Sequence, residues 1–176
     1  NISEVRRIHD DNLERRLRSA TSEHEFNSER TYYLKQIENL FNESNGEGLN
    51  KILNNFFNSF RELSNQPEND TIRSIVRNNA DLVVKDFHRL SSRIEEIRES
   101  MDRKINASIA DINELSQRIA ELNTKIAKIE LTGTHSGDLR DKRDLAVKEL
   151  SKFFKTHTYE NEKGQYVVSA IGVGSV

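Results

Sequence analysis

Cysteine and tryptophan are absent from this chain of 176 residues, and proline and methionine occur once each. Without cysteine the chain has no disulfide, no thiolate metal site and no cysteine nucleophile. Long hydrophobic runs are also lacking, since no stretch approaches the roughly 20 apolar residues that a membrane-spanning helix needs. We therefore expect no membrane partner. Because the chain starts with Asn1 rather than Met, we also expect it to be a fragment.

A strong excess of one charge is missing as well. The 27 basic residues are interspersed with 29 acidic ones, which gives a net charge of −2 and no basic patch for a phosphate backbone. Nucleic acid is therefore not an expected partner. Charged residues make up 32% and hydrophobic residues only 34% of the chain, a balance that favours a thin helical core.

Two helices are predicted in the first third of the chain. The first runs from Asn1 to Glu43, with a possible bend near Ala20 and a capping box at Ser22–Glu25. The second runs from Leu49 to Leu63 and is strongly amphipathic. Its apolar positions are Leu49, Ile52, Leu53, Phe56, Phe57, Phe60 and Leu63. The phenylalanines fit either a core or an anchor for a partner, and the helical spacing favours a core.

A very long helix is predicted from Thr71 to about Glu130, since this stretch contains neither glycine nor proline. At 1.5 Å per residue it would be about 90 Å long. Asp70 or Thr71 is a suitable N-cap. Apolar residues with alternating spacings of three and four form two packing seams, which include Ile94, Ile97, Met101, Ile112, Leu115, Ile119, Leu122 and Ile126. A lone helix of this length must pack on another segment or on a neighbouring subunit.

A last helix is predicted from Asp138, as its N-cap, to about Phe153. Its start carries a salt-bridge motif made of Asp138, Arg140, Asp141, Arg143 and Asp144. The three aspartates could bind a metal. The interleaved arginine and lysine side chains can pair with these carboxylates instead, so no metal ion is needed. Neither this motif nor the five scattered histidines provide the partners of a catalytic or metal site. We expect no enzyme activity, no metal and no cofactor.

Strand-forming residues follow from Thr156 to Val173, with Glu160–Gly164 as the turn of a β-hairpin. The sequence therefore predicts a mainly α fold, an elongated helical bundle with one very long helix and a small C-terminal β-hairpin. Residues 1–155 would form a rod-like helical domain. Residues 156–176 would form the β-hairpin.

Three blocks of the chain resemble the family of the flagellar hook-associated protein FlgK. Gly48–Pro67 resembles its G-L-x3-L-N-x-F-F-N-x4-L-x3-P signature. Ile112–Asn123 is similar to the family's I-N-x-L-x3-I-A-x-L-N helix, and Asp138–Ser151 to its D-L-x-D-x-R-D-x4-E-L-S segment. The family's N-terminal segment and C-terminal helices have no counterpart in the chain. The resemblance also implies that residues 156–176 are the start of a β-rich domain that is missing from the chain.

The resemblance implies a structural adaptor at the junction between the flagellar hook and filament. Such a protein is extracellular, exported by the flagellar type III apparatus. The implied partners are further copies in a ring, hook subunits, the second junction protein and an export chaperone at the missing C-terminal region. Two alternatives stay open: another flagellar axial protein, such as a flagellin or the second junction protein, and a secreted coiled-coil effector or adhesin.

Overall fold

Four α-helices and a small C-terminal β-sheet make up the described part of the chain. The computed structural model describes residues 10–41, 48–131, 133, 135–161, 165–171 and 174–175. The helices are α1 (Asp11–Phe41), α2 (Leu49–Asn65), α3 (Asp70–Glu130) and α4 (Gly137–Leu150). The strands are β1 (Thr156–Glu160), β2 (Tyr166–Ala170) and β3 (Gly174–Ser175). The predicted mainly α class with one very long helix and a C-terminal hairpin is confirmed.

Helix α1 runs without a break through the predicted bend. The Asp10 side chain caps it, because its Oδ1 atom accepts hydrogen bonds from the backbone N–H groups of Asn12 and Leu13 at 2.9 and 3.1 Å. The capping box at Ser22 is a wrong prediction, since Ser22 lies buried inside the helix. A cap needs non-helical backbone at that residue, whereas α1 continues through it. The predicted helical residues 1–9 and 42–43 lie outside the described part of the chain.

Helix α3 begins one residue earlier than predicted and has a different cap. Oδ1 of Asn69 accepts hydrogen bonds from the N–H groups of Thr71 at 3.0 Å and Ile72 at 3.3 Å. Asn69 is therefore the N-cap, and the prediction of Asp70 or Thr71 is wrong. From there the helix continues for 61 residues, as expected for a stretch that lacks helix breakers.

The chain divides into two compact units. One comprises Asn1–Arg30 with Lys104–Val176, and the other comprises Thr31–Arg103. In the first unit the hydrophobic core consists of Ile119, Ala146, Val147, Leu150 and Val168. Since Val168 belongs to β2, this strand shares its core with helices α3 and α4. The predicted domain division at residue 155 stays a prediction.

The second unit contains the C-terminal end of α1, the whole of α2 and the first half of α3. Its buried apolar residues include Ile72, Val76 and Leu90 of α3. The Asn79 amide donates a hydrogen bond to the Asn55 carbonyl oxygen at 3.3 Å, which joins α3 to α2. The unit therefore packs helix on helix.

The β-sheet is antiparallel, with strand order β1-β2-β3. In the hairpin, Thr158 lies opposite Val168 and Glu160 lies opposite Tyr166. Since side chains alternate along a strand, these four residues share one face. Val168 on this face is almost fully buried, so this face packs against the core.

Candidate functional site

Asn123 of α3 holds the start of strand β2. Its Nδ2 atom donates a hydrogen bond to the Tyr166 carbonyl oxygen at 2.8 Å, and its Oδ1 atom accepts one from the Tyr166 N–H at 3.3 Å. The amide thus pairs with the Tyr166 backbone as a neighbouring strand would. One side chain of the long helix therefore fixes both the position and the register of the strand.

Arg143 of α4 also contacts Asn123 and Tyr166. Its Nη1 atom donates a hydrogen bond to Oδ1 of Asn123 at 3.1 Å. Its guanidinium carbon lies 4.2 Å from the centre of the Tyr166 ring, a cation–π contact. Arg143 is only 1% exposed, and this burial lowers its pKa. The cation is thus stabilised by an amide oxygen and an aromatic face.

Arg18 of α1 contacts the sheet as well. Its Nη2 atom donates a hydrogen bond to Oγ1 of Thr158 at 2.8 Å, and the Tyr166 hydroxyl donates to the same oxygen at 3.1 Å. Arg18 is 4% exposed. We call Arg18, Asn123, Arg143, Thr158 and Tyr166 the hairpin anchor. Its residues come from α1, α3, α4 and both hairpin strands, so the network joins all these elements.

An ion pair beside the hairpin anchor fixes the start of α4. Arg140 donates hydrogen bonds to both carboxylate oxygens of Glu130, at 2.8 and 2.6 Å, and contacts Glu160 of β1 at 3.3 Å. Ser136 donates a further hydrogen bond to Glu130. The hydrogen bonds from Arg140 lower the pKa of Glu130 to about 2, and Glu130 in turn raises the pKa of Arg140.

The predicted salt-bridge motif is thus arranged differently from the sequence prediction. Helix α4 begins at Gly137 with Ser136 as N-cap residue, so Asp138 lies in the first turn and is not the cap. The Arg140 guanidinium crosses to Glu130 and Glu160 instead of following its own helix. Arg143 is buried, whereas Asp138 and Asp141 are exposed and Asp144 is half-buried. Arg140 and Arg143 therefore connect α4 to α3 and to the hairpin. The motif is not a row of solvent-exposed ion pairs along one helix.

The predicted seam of α3 is buried in part. Ile119, Leu122 and Ile126 are buried, and Ile112 and Leu115 are half-buried against the core of the first unit. Ile94 and Met101 are exposed, and Ile97 is half-buried. The seam is thus a core element towards the C-terminal end of α3, where the sheet and α4 cover it.

The phenylalanine stripe of α2 is not a closed core in this chain. Phe57 and Phe60 are 59% and 50% exposed, while Leu49, Leu53, Phe56 and Leu63 are half-buried. The Phe56 ring contacts both other phenylalanine rings, with centroids 5.4 and 5.1 Å away. The expectation that Phe57 and Phe60 are core residues is therefore wrong for the chain as described.

Groupings typical of a metal site are not found in the described ranges: no three His, Asp or Glu side chains lie close enough to hold a metal ion. Likewise, none of the helices among the described residues is long and apolar enough to cross a membrane. The polar side chains of the hairpin anchor bond to one another.

The family model for the helical domain of the flagellar hook-associated protein FlgK matches residues 34–175. This match covers the end of α1, all of α2, α3 and α4, and all three described strands. The chain belongs to the FlgK family.

Relatives within the FlgK family cover nearly the whole chain. It is 30% identical over 173 residues to flagellar hook-associated protein 1 of Bacillus subtilis, a match that spans 98% of the chain and 34% of that protein. It is 27% identical to the protein of the same name from Salmonella typhimurium, over 94% of the chain and 30% of the relative. The chain thus spans about a third of the length of these relatives.

A solved structure of the FlgK family has the same fold. The flagellar hook junction protein FlgK from Burkholderia pseudomallei superposes with a TM-score of 0.75 over 92% of the chain and 28% of that protein, at 23% identity. At this identity the likeness supports the fold, and it agrees with the four helices and C-terminal hairpin.

Two of the sequence blocks that resemble the FlgK family meet in space. Asn123 ends the block in α3 and Arg143 lies in the block of α4, and their side chains are joined at 3.1 Å. The sequence prediction did not assign a role to Arg18, Thr158 or Tyr166. Arg18 and Ser22 lie four residues apart on α1 and are both buried, so they mark the inward face of this helix. Because both residues are polar, a hydropathy pattern does not reveal this face.

Proposed function

We propose that this chain is part of a structural adaptor that joins hook and filament in the bacterial flagellum, and that it catalyses no reaction. Membership of the FlgK family carries the proposal. The arrangement of the hairpin anchor supports it, because the most buried charged side chains hold helices and strands together. The family's relatives are named as flagellar hook-associated proteins, and the solved structure as a flagellar hook junction protein.

The proposed location is extracellular, in the flagellum, after export through the flagellar type III apparatus. The proposed partners are other copies of the same protein in a ring, hook subunits and the second junction protein. An export chaperone would bind a C-terminal region beyond this chain. Apolar side chains that stay exposed, among them Phe57, Phe60 and Ile94, support packing against further polypeptide.

Deletion of the full-length gene in the source bacterium tests this function. We expect bare hooks in electron micrographs and flagellin released into the medium, because filament subunits would have no adaptor on which to assemble. Re-expression of the intact gene should restore filaments. Normal filaments in the deletion strain would refute the proposal and favour a secreted coiled-coil protein, and loss of the filament protein itself would favour a flagellin.

A further inference from the structure

Residues 11–30 of α1 belong to the first unit and turn a polar face towards it. Arg18 and Ser22 are the buried residues of this segment, whereas Leu13 and Phe26 are 62% and 66% exposed. The hydrophobic core of the unit contains no described residue of α1. Since packing of an apolar face is what usually holds a helix in place, this segment is docked in another way. Its half-buried residues are all polar or charged, namely Glu14, Ser19, Thr21, Glu25 and Glu29.

Two ion pairs connect this segment to the rest of the first unit. The Lys155 ammonium donates a hydrogen bond to the Glu23 carboxylate at 2.9 Å, and the Lys104 ammonium lies 3.2 Å from the Glu29 carboxylate. Between 45% and 59% of each of these four side chains is exposed. Ion pairs that are exposed to this extent are weak, and dissolved salt screens them.

Arg18 makes a buried contact between the segment and the hairpin. Its guanidinium donates a hydrogen bond to the neutral hydroxyl of Thr158 at 2.8 Å. Its buried Nε atom has no hydrogen-bond partner among the described residues. Removing a charge from water costs free energy, and one neutral acceptor offsets only part of this cost. Since release of the segment would return the guanidinium to water, the contact opposes release only weakly.

Strand β1 lies at the edge of the sheet, because the strand order is β1-β2-β3. The backbone groups of Lys155 and Asn161, at either end of β1, form hydrogen bonds with residues that flank β2. Backbone groups alternate in direction along an antiparallel strand. The groups that point away from β2 are therefore those of Thr156, Thr158 and Glu160.

The start of α1 covers this edge. A cavity of about 330 Å³ lies between the helix and β1, lined on the helix side by Asp11, Arg15 and Arg18. On the strand side it is lined by residues 157–160, whose side chains alternate between the two faces of the sheet. A cavity that meets both faces of one strand lies at the edge of that strand. The helix therefore covers backbone groups that could otherwise pair with another strand.

We propose that residues 11–30 of α1 form a latch, which docks reversibly over the edge of β1 and opens while the rest of the first unit stays folded. Two exposed ion pairs and the hydrogen bond from Arg18 close the latch, so a higher ionic strength favours its open form. The rest of the unit keeps its own core, in which Val147 and Leu150 are fully buried. This property goes beyond the proposed junction role and does not depend on it.

Hydrogen exchange of the 176-residue chain, followed by NMR in 0.1 M and 1 M NaCl, tests the latch. The Debye length falls from about 10 Å to about 3 Å between these conditions. We expect amides of residues 15–25 to exchange about fivefold faster in 1 M NaCl, because both exposed ion pairs are weakened. Amides of residues 146–150 in α4 should change by less than about twofold. Equal exchange rates and equal salt responses in the two segments would show one cooperative unit and would overturn the proposal.

The matched variants Lys155→Gln and Lys152→Gln separate the latch contact from a general effect of charge. Both lysines are exposed, and among the described residues it is Lys155 that pairs with Glu23. In 0.1 M NaCl, Lys155→Gln should speed exchange of residues 15–25 by about two- to threefold, roughly the effect of one exposed ion pair. Lys152→Gln should leave this exchange unchanged. The same effect from both variants, or no effect from Lys155→Gln, would contradict the latch.

Discussion

The Asn123 side chain uses both ends of its amide in hydrogen bonds. It donates to the Tyr166 carbonyl and accepts from the Tyr166 N–H and from Arg143. No hydrophobic side chain replaces these contacts, because Arg143 and the strand backbone would keep buried polar groups without partners. The energetic importance of Asn123 therefore lies in the groups that it satisfies.

Asn123→Ala tests this role. We expect the free energy of unfolding to fall by about 2–3 kcal/mol, since the Arg143 guanidinium and the Tyr166 backbone would lose their partners. Urea denaturation followed by circular dichroism measures the change. Asn113→Ala is the matched control, because Asn113 is exposed on the same helix and the gain in helix propensity is the same. Equal stability of the two variants would contradict the role of Asn123.

The Glu130–Arg140 pair predicts a dependence of stability on pH. The folded chain holds the pKa of Glu130 at about 2, below its ordinary value of 4.5. A carboxyl whose pKa is lower in the folded state stabilises the fold above its unfolded pKa, and this contribution disappears as pH falls through the folded value. The stabilisation is therefore complete at neutral pH and is lost between about pH 4.5 and pH 2.

Glu130→Gln makes this contribution measurable. At pH 7 the variant should be less stable by about 1–2 kcal/mol, because Arg140 loses a charge-assisted pair of hydrogen bonds. The difference from the unmodified chain should shrink as the pH is lowered from about 4.5 towards 2. Melting temperatures of both chains across this range provide the measurement. A difference that is constant with pH would contradict the pairing.

Residue-scale features of the hairpin anchor could be predicted only in part. The blocks that contain Asn123 and Arg143 were recognisable in the sequence. Their contact was not, because an arginine between aspartates resembles a solvated helix surface. Arg18 and Thr158 are 140 residues apart, and no local pattern reports a contact over that separation.

At the scale of elements, helix α3 has different surroundings along its length. Ile119 is 5% exposed and belongs to the core of the first unit, whereas Ile109, ten residues earlier, is 50% exposed. Hydrophobic spacing alone treats these isoleucines as equivalent. The sheet and α4 create the difference, because they cover α3 near Ile119.

The pair Ile119→Asp and Ile109→Asp separates the two environments. Ile119→Asp should lower the free energy of unfolding by about 3–5 kcal/mol through an unpaired buried charge. Ile109→Asp carries the same loss of helix propensity and should cost about 0.5 kcal/mol. Thermal or urea unfolding compares them. A similar loss of stability in both variants would mean that Ile119 is not more deeply buried than Ile109.

The helix caps give a further test at this scale. Asn69→Ala should cost about 1 kcal/mol, because the N–H groups of Thr71 and Ile72 lose their acceptor. Asp138→Ala is the comparison, since Asp138 lies in the first turn of α4 and should contribute at most about 0.5 kcal/mol through the helix dipole. Urea midpoints of the two variants measure both effects. If Asp138→Ala were the more harmful change, α4 would begin at Asp138.

The existence and length of the helices were predictable, but their caps were not. A stretch of 61 residues without glycine or proline has few alternatives to one helix. At its start, however, Asn69, Asp70 and Thr71 are all good N-caps by residue type. The choice depends on backbone angles that the sequence does not reveal. The same ambiguity between Ser136 and Asp138 displaced the predicted start of α4.

At the scale of the whole molecule, the chain is about a third of its relatives' length. The apolar spacing predicted that Phe60, Ile94 and Met101 belong to packing surfaces, yet all three are exposed in this chain. Periodicity identifies a surface suited to packing. It does not identify which segment packs on that surface, so the exposure of these three residues in this chain could not be predicted.

Immunogold electron microscopy of intact flagella tests the proposed junction role most directly. Antibodies raised against the 176-residue chain are applied to the source bacterium, and a strain without the gene serves as the control. We predict gold particles confined to the boundary between hook and filament. Label along the whole filament, or on no part of the flagellum, would contradict the role of a junction adaptor.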